Sequence, residues 1–178
     1  MKDFVERLNQ FFPDFETIEV PRRTVVLKEG EISDEIYFVK KGVVRLWFNN
    51  DGKDVTFQFF FPGKGVSSIE SFLEKKASLF NIETITPCEL IVIKQNDYLS
   101  AMDQSEELRN YVFKQIYHRL YHYQSLFLSR IKDTPAQRYE KLIAEFPEII
   151  QQVPQHYIAS YLGITAVSLS RIRNKGLI

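Results

Sequence analysis

Two halves with different rhythms predict an α+β chain, β-rich first and helical second. Short β-type runs separated by turn glycines fill the first half, and from about Asp97 the apolar period changes from two to that of a helix. Near the end, VPQHYIASYLGITAVSLSRIRNK, residues 153–175, sets a glycine inside a helical rhythm and three cations at its close.

The β-type runs are TVVLKEG, EIYFVKKG, VVRLWFNNDG and VTFQFFFPG, and Gly30, Gly42, Gly52 and Gly63 recur at intervals of 12, 10 and 11 residues. That spacing belongs to a sandwich or barrel rather than to βαβ units. Asn50-Asp51-Gly52 is the best hairpin turn, because Asp-Gly accepts the positive φ such turns require.

A long helix is expected over about 97–132. Phe113, Ile116, Leu120, Tyr123 and Phe127 follow the 3-4 spacing of a helix–helix seam, and Tyr117, Tyr121 and Leu128 form a second stripe. One stripe should be buried against its own domain and the other elsewhere, which predicts a homodimer; the alternative is a helix wholly buried in a monomer. Asp133-Thr134-Pro135-Ala136-Gln137 then starts a new helix, with Thr134 as N-cap, Pro135 in the first turn and Gln137 closing a capping box. It should stop near Phe146-Pro147. The domains expected are therefore 1–132 and 133–178.

In the last stretch, Ile158, Ala159 and Leu162 mark the inner face of one helix, Gly163 permits a left-handed turn, and Thr165 caps a second helix with Leu169 and Ile172 inward. The pattern is a helix-turn-helix, with an αα-hairpin used only for packing as the alternative. Ser168, Ser170, Arg171, Arg173 and Lys175 fall on its polar side.

The chain has 178 residues, 44% apolar and 26% charged, and a net charge of zero. Residues 149–178 carry +3 and no acid, so the remaining 148 carry −3. No run reaches the roughly 18 apolar residues of a membrane span. A single cysteine, Cys88, rules out an internal disulfide or a four-cysteine cluster within one chain and suits a reducing cytoplasm.

The whole chain resembles the Crp-Fnr family of bacterial transcription regulators in a short form with little wing after the last helix. LKEGEISDEIYFVKKGVVRL is similar to the family's β-roll core and IASYLGITAVSLSRIR to its DNA-reading unit. The resemblance implies a jelly-roll-like β-roll of the cyclic-nucleotide-binding type, a long dimerisation helix, and paired recognition helices that enter successive major grooves of a pseudo-palindromic operator. It also implies a cytoplasmic homodimer bound to double-stranded DNA, with RNA polymerase as a further partner and no membrane association. The family's base-contacting positions fall on Ala166, Val167 and Arg171, with Thr165, Ser168 and Ser170 as phosphate donors. Arg171 keeps the guanine-reading arginine; Val167 offers only apolar contact where many relatives place a polar or acidic residue.

Relatives that bind cyclic nucleotide carry a cassette with a Gly-Glu pair for the ribose and an Arg beside a small hydroxyl residue for the phosphate. After Gly63, the equivalent stretch PGKGVSSIESFLEKKASLF places Ser67-Ser68 and Ser78-Leu79 there, without either charged group. The β-roll is therefore expected not to bind cAMP or cGMP. Lys64, Lys75 and Lys76 read as a solvated loop face, and Phe57, Phe59, Phe61 and Phe72 as packing, with an apolar ligand site as the alternative. His118 and His122, four apart, read as polarity beside the seam rather than as a metal site. Glu70 and Glu74 share a helical face but have no nucleophile beside them. No cofactor and no enzymatic activity are expected. The reading is a sequence-specific DNA-binding regulator. The alternative is a ligand-binding or protein-interaction module whose helix-turn-helix no longer binds DNA.

Overall fold

The computed structural model describes residues 2–175, with side chains from Phe4 to Asn174; that of Lys175, an expected DNA contact, lies outside the described residues. The chain divides into two compact units, residues 1–106 and 107–178.

The first unit opens with helix α1 (Lys2–Phe11), whose buried Leu8 recurs one turn after Phe4. Eight strands follow: β1 (Glu16–Val20), β2 (Val25–Leu27), β3 (Glu35–Lys41), β4 (Val44–Asn50), β5 (Lys53–Phe60), β6 (Gly65–Val66), β7 (Asn81–Thr84) and β8 (Cys88–Lys94). Helix α2 (Ile69–Glu74) stands between β6 and β7, and helix α3 (Gln95–Gln104) follows β8. The strands form two four-stranded antiparallel sheets, ordered β1-β8-β3-β6 and β2-β7-β4-β5. The expected β-roll followed by helices is what the chain adopts.

Alternation along the strands sends one set of side chains inward. Val39, Val44, Leu46, Phe60, Ile82, Leu90 and Val92 join one core cluster, against which Phe57 and Phe80 pack edge to face at 5.2 Å. Phe59 and Phe61 are buried as well, as is Phe72 on α2, so all four phenylalanines are packed. Asp51 and Gly52 form the two-residue turn between β4 and β5, with φ of 51° and 82°. Both signs are those of the mirror-image hairpin turn that the sequence suggested. Cys88 is buried, and its thiol donates to the carbonyl oxygen of Thr86 at 3.2 Å.

In the second unit lie α4 (Glu106–Lys132), α5 (Pro135–Glu145), α6 (Ile149–Gln152), α7 (Gln155–Leu162) and α8 (Ala166–Lys175). The single helix expected over about 97–132 is thus two. Ser105 between them is extended, at φ −122° and ψ 109°. A hydroxyl residue followed by Glu106 and Glu107 is a helix-start signal, and it interrupts an apolar rhythm that looked continuous.

Helix α5 starts as expected. Thr134 Oγ1 accepts from Gln137 N at 3.3 Å, and Gln137 Oε1 accepts from Thr134 N at 2.9 Å. The helix ends at Glu145, before Phe146-Pro147.

The expectation that one stripe of α4 is buried within its own domain is not met. Tyr117, Tyr121 and Leu128 are as exposed as Phe113, Ile116, Leu120, Tyr123 and Phe127. The two stripes are offset by one residue, which on a helix is only about 100°. They are therefore neighbours, and with Ile131 they form one apolar face rather than two opposed ones.

Candidate functional site

Two places in the chain carry the residues singled out from the sequence. The first is the cassette around α2. Gly63 donates its N–H to Val39 O at 2.8 Å, and β6 then delivers Ser67 and Ser68, both buried. Ser67 Oγ donates to Glu35 O at 3.1 Å, and Ser68 O accepts from Phe72 N at 2.7 Å in the first turn of α2. Ser71 Oγ accepts the N–H of Ser33 at 2.8 Å, tying α2 to the segment before β3.

Ser78 is buried and tied down on both sides. Its N–H reaches Glu31 O and its carbonyl takes Gly30 N, each at 2.8 Å, while its hydroxyl donates to Phe80 O at 2.7 Å. Leu79, its neighbour in the cassette, is exposed. The serine hydroxyls at positions 67 and 78 thus satisfy main-chain oxygens of the protein itself. Lys64 and Lys75 are exposed, and Lys76 pairs with Glu70 at 3.0 Å and Glu74 at 2.6 Å on the surface. A cleft of about 340 Å³ in the same unit is lined by Glu19, Val20, Lys41, Cys88 and Glu89 among others, and by none of the cassette positions.

Sequence reasoning passed over a buried charge cluster on β4 and β7. Arg45 and Glu83 stand directly opposite each other, on the sheet face opposite to that of Val44 and Leu46. Only 2% of Arg45 is exposed. Its Nε and Nη2 donate to Glu83 Oε2 at 2.9 and 2.6 Å, Nη1 to Thr56 Oγ1 at 3.0 Å, and Nη2 to Asp54 at 3.2 Å. The Trp47 ring lies 4.8 Å from the guanidinium. Nearby in sequence, Glu35 takes bonds from Lys94 and from the Tyr37 hydroxyl. Burial would raise the Glu35 pKa, but those two partners outweigh it and hold the carboxyl below its ordinary value.

The second place is the pair α7 and α8. Ile158, Ala159 and Leu162 on α7 and Leu169 on α8 are buried, as the apolar spacing required, and Ile172 is half-buried. Gly163 ends α7 at φ 69°, ψ 34°, its N–H bonding back to Ser160 O at 2.9 Å. A Cβ there would lie 2.6 Å from Arg130 Nη1, the far end of a flexible side chain that can move aside, so glycine is needed for the left-handed conformation rather than for space. Arg130 and Arg138 reach the last carbonyls of α7, at Tyr161 and at Leu162 (3.0 Å). Cations there complement the end of a helix. Burial and the neighbouring Arg138 lower the Arg130 pKa.

Thr165 caps α8, its Oγ1 accepting from Ser168 N at 3.1 Å. Outward from this pair stand Thr165, Ala166, Val167, Ser170 and Arg171, all exposed, with Ser168 and Arg173 half-exposed. The arrangement offers hydroxyls and guanidinium donors to an anionic surface, without a carboxylate on α8.

His118 is exposed, and His122 Nδ1 lies 3.7 Å from Glu145. Among the described residues there is no group of three or more acids, histidines or cysteines that could hold a metal ion. No described helix is long and apolar enough to cross a membrane.

The fold has close counterparts among solved structures. FixK2 from Bradyrhizobium japonicum is similar at a TM-score of 0.78 and 17% identity, over 90% of this chain and 83% of that one. CLP from Xanthomonas campestris, a c-di-GMP-responsive global regulator, is similar at 0.74 and 18%, over 98% and 91%. A CooA variant from Carboxydothermus hydrogenoformans is similar at 0.75 and 13%, over 97% and 83%. At these identities the likeness is one of fold. No curated protein matches in sequence. Residues 17–105, half of the chain, match the cyclic nucleotide-binding domain, so the two sheets and the cassette helix are those of that domain and the chain belongs to its family.

Proposed function

We propose that this chain is a homodimeric, sequence-specific DNA-binding transcription regulator of the Crp-Fnr type, acting in the cytoplasm. The observation that carries the reading is the outward face of α8. Thr165, Ser170 and Arg171 are exposed there, above an inner face of Leu169 packed toward α7, in a segment with net charge +3. As a helix-turn-helix, the pair would lay α8 in the major groove, with Arg171 on guanine O6 and N7 and the hydroxyls on phosphates. Two-fold symmetry then sets the half-sites about 34 Å apart. The broad apolar face of α4 supports the dimer, because Phe113, Ile116, Leu120, Tyr123 and Phe127 have no reason to face water in a monomer.

The test is fluorescence polarisation with duplexes from the DNA upstream of the chain's own coding sequence. Binding should weaken steeply with salt, because the cations of each subunit displace condensed counterions. Arg171→Ala should cost about 1–3 kcal/mol and relax specificity at one base pair per half-site. Unchanged affinity and selectivity would remove Arg171 from the interface; no binding to any duplex would favour a module that recognises a small molecule or a protein.

The cassette supports a sensor that does not answer to cAMP or cGMP. A cyclic phosphate needs a fixed cation or several hydrogen bonds to replace its hydration. Ser78 offers one hydroxyl, already donated to Phe80 O. Titration calorimetry should find millimolar binding or none, and a dissociation constant near ten micromolar would overturn this part of the reading.

A further inference from the structure

Of the residues on the outward face of α8, Val167 is the one that cannot make a hydrogen bond and is large enough to shield what it covers. It is 61% exposed, while Leu169 on the same helix is fully buried and Ile172 half-buried. A solitary exposed valine is ordinary on a protein surface. Its neighbours set this one apart, for it stands among Thr165, Ser168, Ser170 and Arg171 and four residues before Arg171. Residues four apart share a helix face, with Cβ atoms about 5–6 Å apart. A valine in a helix is also stiff, holding one χ1 rotamer and so presenting its two methyl groups in one place.

Resting on the DNA-binding reading above, we infer that Val167 selects operators by the 5-methyl group of thymine. In the major groove that methyl is the one apolar group larger than a C–H that any base edge presents. An isopropyl group pressed on guanine N7 or O6, adenine N6 or cytosine N4 strips water from a polar atom and puts nothing in its place. Pressed on a thymine methyl, it removes two apolar surfaces from water. The residue therefore attracts one base and penalises the other three. The thymine should lie near the guanine taken by Arg171. Four helical residues advance about 6 Å, and successive bases on a strand are about 3.4 Å apart, so the two bases should be within about two base pairs.

The experiment uses the full chain and a pool of duplexes with randomised sequence. Enriched half-sites should pair a guanine with a thymine within about two base pairs. In a fixed duplex of that sequence, replacing the thymine by deoxyuridine removes the methyl and nothing else. Wild-type affinity should fall about fourfold per half-site, the effect of one buried methyl-sized group, and about sixteenfold when both are changed. Val167→Ala should bind the thymine and deoxyuridine duplexes almost equally, with its circular dichroism and melting temperature unchanged. A cytosine placed at the same position should bind better when it carries a 5-methyl group. Equal wild-type affinity for thymine and deoxyuridine duplexes, or enriched sites without a nearby thymine, would overturn the role of Val167 and leave DNA binding standing. A pool from which no sequence is enriched would instead sink the DNA-binding reading itself.

Discussion

The two units use the same residue types in opposite ways. In the β-roll, Ser67, Ser68 and Ser78 are buried with Arg45, and the bonding groups of Ser67, Ser78 and Arg45 meet a carbonyl, a carboxylate or a hydroxyl of the chain itself. In the helical unit, Ser170 and Arg171 face outward, and so does the apolar face of α4 from Phe113 to Ile131. Polar groups answered from within hold a fold together. Groups left facing water, on a helix whose inner face is already satisfied, are available to something else. Damage to the first kind should therefore be read in stability, and damage to the second in assembly or recognition.

The sharpest contrast lies in α4. Replacing Leu120 and Phe127 together by Glu should turn dimers into monomers in sedimentation velocity, forfeiting about 3–6 kcal/mol of apolar burial per subunit before ordering costs. The β-roll should keep its own melting transition. A dimer that persists would move the interface away from this face.

Next in size is Arg45. Its replacement by Ala strands the buried Glu83 carboxylate and should cost about 3–5 kcal/mol in urea unfolding. Replacing both Arg45 and Glu83 by apolar residues of similar volume should recover most of that loss, with no effect on dimerisation. An Arg45→Ala chain as stable as the wild type would break the contrast between the units.

The smallest effect concerns Glu35. Its carboxyl is held below the ordinary value by Lys94 and Tyr37 against the opposing effect of burial, so the ionised form stabilises the fold above the ordinary carboxylate pKa. That contribution is lost as pH falls through the depressed folded-state value. Glu35→Gln should thus be less stable than the wild type near neutrality, with the gap between their urea midpoints closing from about pH 5 downward. A gap constant with pH would mean that the carboxylate charge contributes nothing.

Local signals were legible wherever a few adjacent residues decide the structure. Thr134, Pro135 and Gln137 build their capping box, Asp51-Gly52 its turn, and Gly163 with Thr165 the joint between α7 and α8, because each is settled by atoms within a few residues. Signals that depend on distant partners were not. Arg45 and Glu83 are 38 residues apart and meet only through strand register, and nothing around either one marks it as buried. The cassette serines could be placed by their position after Gly63, but their bonds to Glu35 and Glu31 exist only once the β3 side of the sheet has closed on them. Ser105 carries a readable helix start, but the apolar rhythm on either side masks it. Each stripe of α4 is legible in the sequence, and their one-residue offset makes them a single face on the helix.

Cys88, packed inside the β-roll with its thiol pKa raised by burial, has one more consequence. The thiolate is the form that reacts with oxidants, disulfides and maleimides, and here it is scarce and shielded. The chain's one native sulfhydryl should therefore stay silent in labelling chemistry while the fold is intact. A cysteine introduced at an exposed position such as Asn174 on α8 would be the lone reactive handle on the chain. In the proposed dimer, a fluorophore or spin label placed there would report the separation of the two α8 helices directly, without first engineering away the native thiol.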